Sequence, residues 1–80
     1  MTDQAMQTKL RAMPYVETVT LRVVNKIREV RSDRVVVRSA RTGKDREISF
    51  EQIRGWSRGR SNSRVRLALA VALGLTKQQV

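Results

Sequence analysis

Apolar residues recur at helical spacing between positions 16 and 30 of the chain. Five of them stand at successive intervals of 3, 4, 4 and 3 residues: Val16, Val19, Val23, Ile27 and Val30. On an α-helix such a set forms one apolar stripe. The pattern predicts a helix that runs from Val16 to about Arg31.

A strand is the alternative interpretation of this segment. Val19, Leu21 and Val23 alternate with Thr20 and Arg22, and β-branched residues favour strands. A strand here would turn the middle of the protein into a small barrel. The sequence leaves both interpretations open.

The preceding segment, residues 1–14, is expected to be a short helix or a mobile arm. Its main apolar residues are Leu10 and Met13, and Pro14 closes it because the residue before a proline disfavours the helical conformation. Residues 15–80 are expected to form one domain, since eighty residues allow a single small core.

The middle of the chain has the pattern of a β-hairpin. Arg34–Ser39 is rich in valine, and Arg46–Phe50 reads as the returning strand. Thr42–Lys44 supplies the turn between them, with Gly43 able to take the positive φ that a tight hairpin needs.

Two helices are predicted after the hairpin. Ser49 and Gln52 have capping-box spacing and start a short helix that ends near Ser57. After a loop at residues 57–63, Ser61 or Ser63 can cap a last helix that runs from residue 64 to residue 73 and stops at Gly74.

The last helix is apolar almost all the way round, so it must be buried on more than one side. Self-association through the face from Leu67 to Leu75 would achieve this. The predicted fold is therefore a small single α+β domain with a helix, a β-hairpin and two C-terminal helices. This order is similar to that of winged-helix modules.

Composition excludes several functions. The chain has no cysteine, no histidine and only three aromatic residues, so the commonest zinc and haem ligands, a disulfide framework and an aromatic-lined cofactor pocket are missing. We expect no cofactor. The start lacks a basic region followed by an apolar run, and the longest apolar stretch is too short to span a bilayer, so a cytoplasmic protein is expected.

The candidate catalytic groups are three carboxylates, those of Asp45, Glu47 and Glu51. Asp45 and Glu47 would share one face of a strand and could in principle hold Mg²⁺. Arginines surround them in the sequence, however, and charge balance is the commoner reason for such acids. We therefore expect that the protein is not an enzyme.

The charge of the chain points to a polyanionic partner. The net charge is +10, arginine outnumbers lysine thirteen to four, and no acidic residue follows Glu51. Arg54–Arg64 combines guanidinium groups for phosphates, glycines that allow close approach and an indole that can stack on a base. Trp56 has a competing role as a core residue, because it follows Ile53 at helical spacing.

The hairpin offers a second basic surface near its tip, which Asp45 and Glu47 dilute. A basic hairpin beside a helix can lie along a DNA backbone. Its cationic residues are Arg38, Arg41, Lys44 and Arg46.

The end of the chain resembles the helix-turn-helix of Cro-like and phage-repressor regulators. Ala70 matches the small residue of the first helix, Gly74 the turn glycine and Val80 the aliphatic residue that buries the recognition helix. The resemblance implies that glutamine reads adenine and that lysine contacts phosphate or guanine. The residues that would open the recognition helix are Thr76, Lys77, Gln78 and Gln79.

These patterns predict a non-catalytic protein that binds nucleic acid, with double-stranded DNA favoured. The expected contacts are Arg54, Trp56, Arg58, Arg60, Arg64, Arg38, Arg41, Lys44, Lys77 and Gln78. The alternative is a protein-interaction module, a homodimer through the apolar C-terminal helix, whose basic surface binds an acidic protein.

Overall fold

The computed structural model describes residues 1–18, 21–55 and 64–76. The elements follow in this order: helix α1 (Asp3–Arg11), strands β1 (Tyr15–Glu17), β2 (Val24–Val30), β3 (Arg34–Ser39) and β4 (Asp45–Ser49), and helices α2 (Phe50–Arg54) and α3 (Arg64–Ala72). The predicted α+β class is confirmed, because one antiparallel sheet of four strands packs with the helices.

The strands follow one another in space as they do in sequence, in the order β1-β2-β3-β4, and each pair is antiparallel. The predicted hairpin is confirmed as β3 and β4, and Gly43 in its turn has a φ of 71°. The hairpin is not a projecting wing, because β3 also pairs with β2. In the part of the chain that the structure describes, β1 and β4 are the edges of an open sheet.

The helix predicted from Val16 to Arg31 is wrong. The segment forms β1 and β2, joined by a connection in which the Thr18 N–H donates to the Val23 carbonyl at 2.9 Å. The strand alternative is right about the type of element but not about its place, since Leu21 lies in this connection and is exposed. Val19 and Thr20 lie outside the described residues.

Two interruptions of a strand pattern produced the helical spacing. Inward-facing positions recur every second residue in a strand, as Asn25 and Ile27 do here. A β-bulge then lets two residues of β2 oppose Val36, so the next inward residue is Val30, three positions after Ile27. The β1–β2 connection separates Val16 from this series, and together these breaks imitate a helix period.

The core lies on one face of the sheet. It combines side chains from α1, the sheet, α2 and α3: Met6, Leu10, Val16, Val35, Val37, Ile48, Phe50, Ile53, Val65, Ala68, Leu69, Ala70 and Leu73. Helix α1 packs against β2, and α3 packs against β1 and α2. We call this side the inner face of the sheet and the opposite side the outer face.

Local sequence signals fix the ends of the helices. Helix α1 begins after Thr2, whose hydroxyl accepts a hydrogen bond from the Ala5 N–H at 3.1 Å. The predicted capping box of α2 is present, with Ser49 and Gln52 bonded reciprocally to each other's backbone N–H. This helix ends at Arg54, and the predicted loop at residues 57–63, with its capping serines, lies outside the described residues.

Helix α3 stops at the predicted glycine. Gly74 has a φ of 76°, the left-handed conformation that glycine adopts without a steric penalty. The Leu75 N–H donates to the Ala70 carbonyl at 2.9 Å, and the Gly74 N–H donates to the Val71 carbonyl at 3.0 Å. These two bonds form a Schellman motif.

The apolar surface of α3 is used largely within the chain itself. Leu69 and Leu73 are fully buried, and Leu75 packs against the core, whereas Leu67 and Val71 are half-buried. The need to bury α3 on more than one side is therefore met mainly by the sheet and α2. None of the described helices is long and apolar enough to cross a membrane.

We expect Leu69→Ala to lower the free energy of unfolding by about 2–5 kcal/mol, because it leaves a cavity in a close-packed core. The matched control is Leu21→Ala, at a leucine that is 56% exposed; it should change stability by less than about 0.5 kcal/mol. Urea denaturation measures both. Equal losses in the two variants would contradict the position of Leu69 in the core.

Candidate nucleic-acid interface

An open groove lies on the inner face at the end of the sheet that carries the β3–β4 turn. Its volume is about 590 Å³, and it runs between this turn and the start of α3. Four cationic side chains line it, and we call it the cationic groove: Arg41, Lys44, Arg46 and Arg64. Two basic segments that are 18 or more residues apart in the sequence thus contribute to one surface.

The turn holds two of these cations through its own hydrogen bonds. The Ser39 hydroxyl accepts from the N–H groups of Arg41 and Thr42 at 3.2 and 3.3 Å. The Gly43 N–H donates to the Ser39 carbonyl at 2.8 Å, and the Thr42 hydroxyl accepts from the Lys44 N–H at 3.3 Å. Hydrogen bonds within the turn therefore hold the backbone of both Arg41 and Lys44.

The other two cations come from regular elements. Arg46 lies opposite Val37 in the β3–β4 register, so it belongs to the inner face, but on the edge strand β4 it is exposed. Arg64 is the first residue of α3, and its side chain is exposed. The next residue, Val65, is buried and anchors this end of the helix.

The carboxylates are concentrated on the opposite side of the sheet. Tyr15, Lys26, Arg38 and Asp45 form one cross-strand row of the outer face, and Glu29, Val36 and Glu47 form another. The ion pairs on and beside this face join Arg31 to Glu29 and Glu47 at 3.1 Å, Arg34 to Asp33 at 3.1 Å and to Glu47 at 3.6 Å, and Arg38 to Asp45 at 2.7 Å. The outer face is thereby close to neutral.

The groove cations have no such compensation. In residues 1–18, 21–55 and 64–76, no carboxylate lies within 4.0 Å of a charged nitrogen of Arg41, Lys44, Arg46 or Arg64. Asp45 also lines the groove, but its carboxylate is bound by Arg38. Concave surfaces lined by one sign of charge concentrate the field, so the groove attracts anions.

The pKa values report the same division of charge. A hydrogen bond from Arg38 lowers the pKa of Asp45, and the charges of Arg38 and Arg28 lower it further. A hydrogen bond from Arg34 likewise lowers the pKa of Asp33. Both carboxylates therefore stay ionised and bound to the outer-face arginines.

The structure divides the sequence-predicted contacts into three groups. Arg41, Lys44 and Arg64 meet in the groove, which joins the hairpin to the C-terminal basic segment. Arg38 lies on the outer face, bound to Asp45, and Arg54 pairs with Asp3 and donates to the Met1 carbonyl at 3.0 Å. The remaining predicted contacts lie outside the described residues: Trp56, Arg58, Arg60, Lys77 and Gln78.

Two polar residues of the groove were not recognised in the sequence. Asn25 and Thr18 are 5% and 6% exposed, and both line the groove. The alternation of Asn25 and Ile27 with Lys26 and Arg28 was the signal that could have placed Asn25 on the inner face.

The candidate catalytic carboxylates have structural partners. Asp45 and Glu47 do share the outer face, but Arg38 binds the first and Arg31 the second. Glu51 lies exposed on α2. Within the described residues, no group of three or more acidic, histidine or cysteine side chains is arranged to hold a metal ion.

Comparisons with known proteins add no family to this description. No family model, curated protein or solved structure matches the chain. The helix-turn-helix resemblance stays a prediction: Ala70 is buried in α3 and Gly74 makes a turn, but residues 77–80 lie outside the described part.

We expect Arg38→Gln to raise the pKa of Asp45 toward its usual value, because the charge and hydrogen bond that favour the carboxylate are lost. The native pair stabilises the fold above the unfolded-state pKa, and this contribution disappears as the pH falls through the lower folded-state pKa. An NMR titration of the side-chain carboxyl carbons measures the change. Asp33, bound by Arg34, is the internal control; an unchanged Asp45 pKa would contradict the pairing.

Proposed function

We propose that this protein is a non-catalytic nucleic-acid-binding protein and that the cationic groove binds phosphate groups of the nucleic-acid backbone. The observation that carries the proposal is the segregation of charge. The outer-face carboxylates are bound by neighbouring arginines, while the four groove cations have no carboxylate partner among the described residues.

The groove cations suit a polyanion for two further reasons. Arginine presents a planar fork of donors that matches phosphate oxygens, and Arg41, Arg46 and Arg64 supply three such groups. The turn holds the backbone of Arg41 and Lys44 in place. Less ordering is then needed when phosphate binds, which reduces the entropic cost of association.

The proposed mechanism is counterion release. Each phosphate that a groove cation neutralises frees condensed cations from the nucleic acid, so the affinity falls as salt rises. Phosphate contacts position a protein but carry no base information, and they form with paired and unpaired strands alike. The binding experiment below therefore uses both double-stranded DNA, which the sequence favours, and single-stranded DNA. We propose a cytoplasmic location, with which a chain that needs no disulfide is compatible.

The test compares two variants of equal charge. Arg41→Gln with Lys44→Gln removes two groove cations, whereas Lys26→Gln with Arg28→Gln removes two exposed cations of β2, with Lys26 on the outer face. Fluorescence anisotropy of labelled DNA over a salt series measures affinity and its logarithmic salt slope. We expect the groove variant to bind more weakly. The magnitude of its logarithmic salt slope should fall by about two, roughly one for each phosphate contact that is lost.

The β2 variant should keep the slope of the wild-type protein. Equal losses in both variants would show that net charge alone drives binding, and the absence of any binding at low salt would overturn the proposed function. Circular dichroism of the variants checks that the fold is retained, which is expected because all four side chains are exposed.

A further inference from the structure

The floor of the cationic groove is polar, unlike the neighbouring core on the inner face, which is apolar. Asn25 is 5% exposed and lies opposite Ser39 in the β2–β3 register, next to the row of Ile27 and Val37. Its Nδ2 donates to the Val23 carbonyl at 3.1 Å. Its Oδ1 accepts no hydrogen bond from the residues that the structure describes.

Thr18 adds a second polar group beside it. Its hydroxyl oxygen accepts from the Val23 N–H at 2.7 Å, and in the described part of the chain its hydroxyl hydrogen has no acceptor. Thr18 is 6% exposed and lines the same groove. Among the described residues, neither side-chain oxygen is a buried atom without a partner. The Asn25 Oδ1 is open to the groove, where a ligand can donate a hydrogen bond to it.

An apolar wall faces these polar groups. Leu21, Val23 and Val65 line the groove, and Leu21 leaves 56% of its surface exposed although it is a large aliphatic residue. The groove volume of about 590 Å³ falls within the range of small-ligand sites. A planar ring with polar edges matches this combination of apolar wall and polar floor.

We propose that the groove holds one unpaired nucleobase of a single-stranded nucleic acid, an inference that rests on the proposed function. Asn25 and Thr18 hydrogen-bond the edge of the base, Leu21 and Val65 contact its ring, and the groove cations bind the phosphates on either side. In a duplex each base is stacked and paired, so it reaches such a site only after extrusion, which costs free energy. The protein therefore binds single strands more tightly than duplexes of equal length.

The test compares two single strands of equal length and charge, an oligonucleotide with bases and an abasic phosphodiester strand. Anisotropy competition at fixed salt measures both with the full chain. We expect the base-bearing strand to bind about 10-fold more tightly, because one net hydrogen bond together with the apolar area that the ring buries contributes on this scale. Leu21→Ala and Asn25→Leu should reduce this ratio and leave the abasic affinity unchanged.

Val24→Ala is the matched control, because Val24 is 37% exposed and lies on the outer face opposite Glu17; it should keep the ratio. Leu21→Ala keeps the test valid if Asn25→Leu fails to fold, since Leu21 is exposed.

Each remaining outcome separates the two proposals. Equal affinity for the base-bearing and abasic strands would overturn the base site and leave phosphate binding intact. Tighter binding of a duplex than of the single strand would also overturn it. A nucleoside monophosphate that binds as tightly as the strand would assign the site to a free nucleotide instead. No binding of any probe at low salt would overturn the proposed function itself.

Discussion

The structure depends on the burial of a single face of one four-stranded sheet. Eighty residues supply one apolar layer, in which Val35, Val37 and Ile48 of the sheet belong to the same core as Leu69 of α3. With no second layer of helices described on the other side, the outer face meets water and carries charged side chains. In the cross-strand row of Glu29, Val36 and Glu47 on this face, Val36 is the apolar residue and the two that flank it are acidic. The one-sided core thus determines where charge can be placed.

This constraint explains how a chain with seven acidic residues presents a concentrated positive surface. Cross-strand pairing on the outer face brings Asp45 to Arg38, and Arg31 binds Glu29 and Glu47. At the turn end, the inner face continues into the groove, where inward residues such as Arg46 are exposed and, among the described elements, meet only the start of α3. Cations there remain uncompensated within the described chain. Surface pairs of this kind add little stability, so their main effect is on the distribution of charge.

Local signals could be predicted from the sequence, and the path of the sheet could not. Ser49 with Gln52, Gly43 and Gly74 each act within a few residues, and the structure confirms all three. The segment after Pro14 was mistaken for a helix because a β-bulge changed its period, and that bulge depends on pairing with β3. The groove could not be predicted for the same reason. The fold brings Asn25 of β2 and Arg64 of α3 into one groove, and no local sequence pattern links residues so far apart.

The central claim, that the cationic groove rather than the outer face binds nucleic acid, is tested most directly by NMR. A titration of the isotope-labelled protein with a short single-stranded oligonucleotide follows each backbone amide. The account predicts shifts concentrated at the groove amides of Asn25, Ser39, Arg41, Lys44, Arg46 and Arg64, with little change at Lys26, Arg38 and Glu47. Shifts concentrated at the outer-face amides, or spread evenly over both faces, would contradict it.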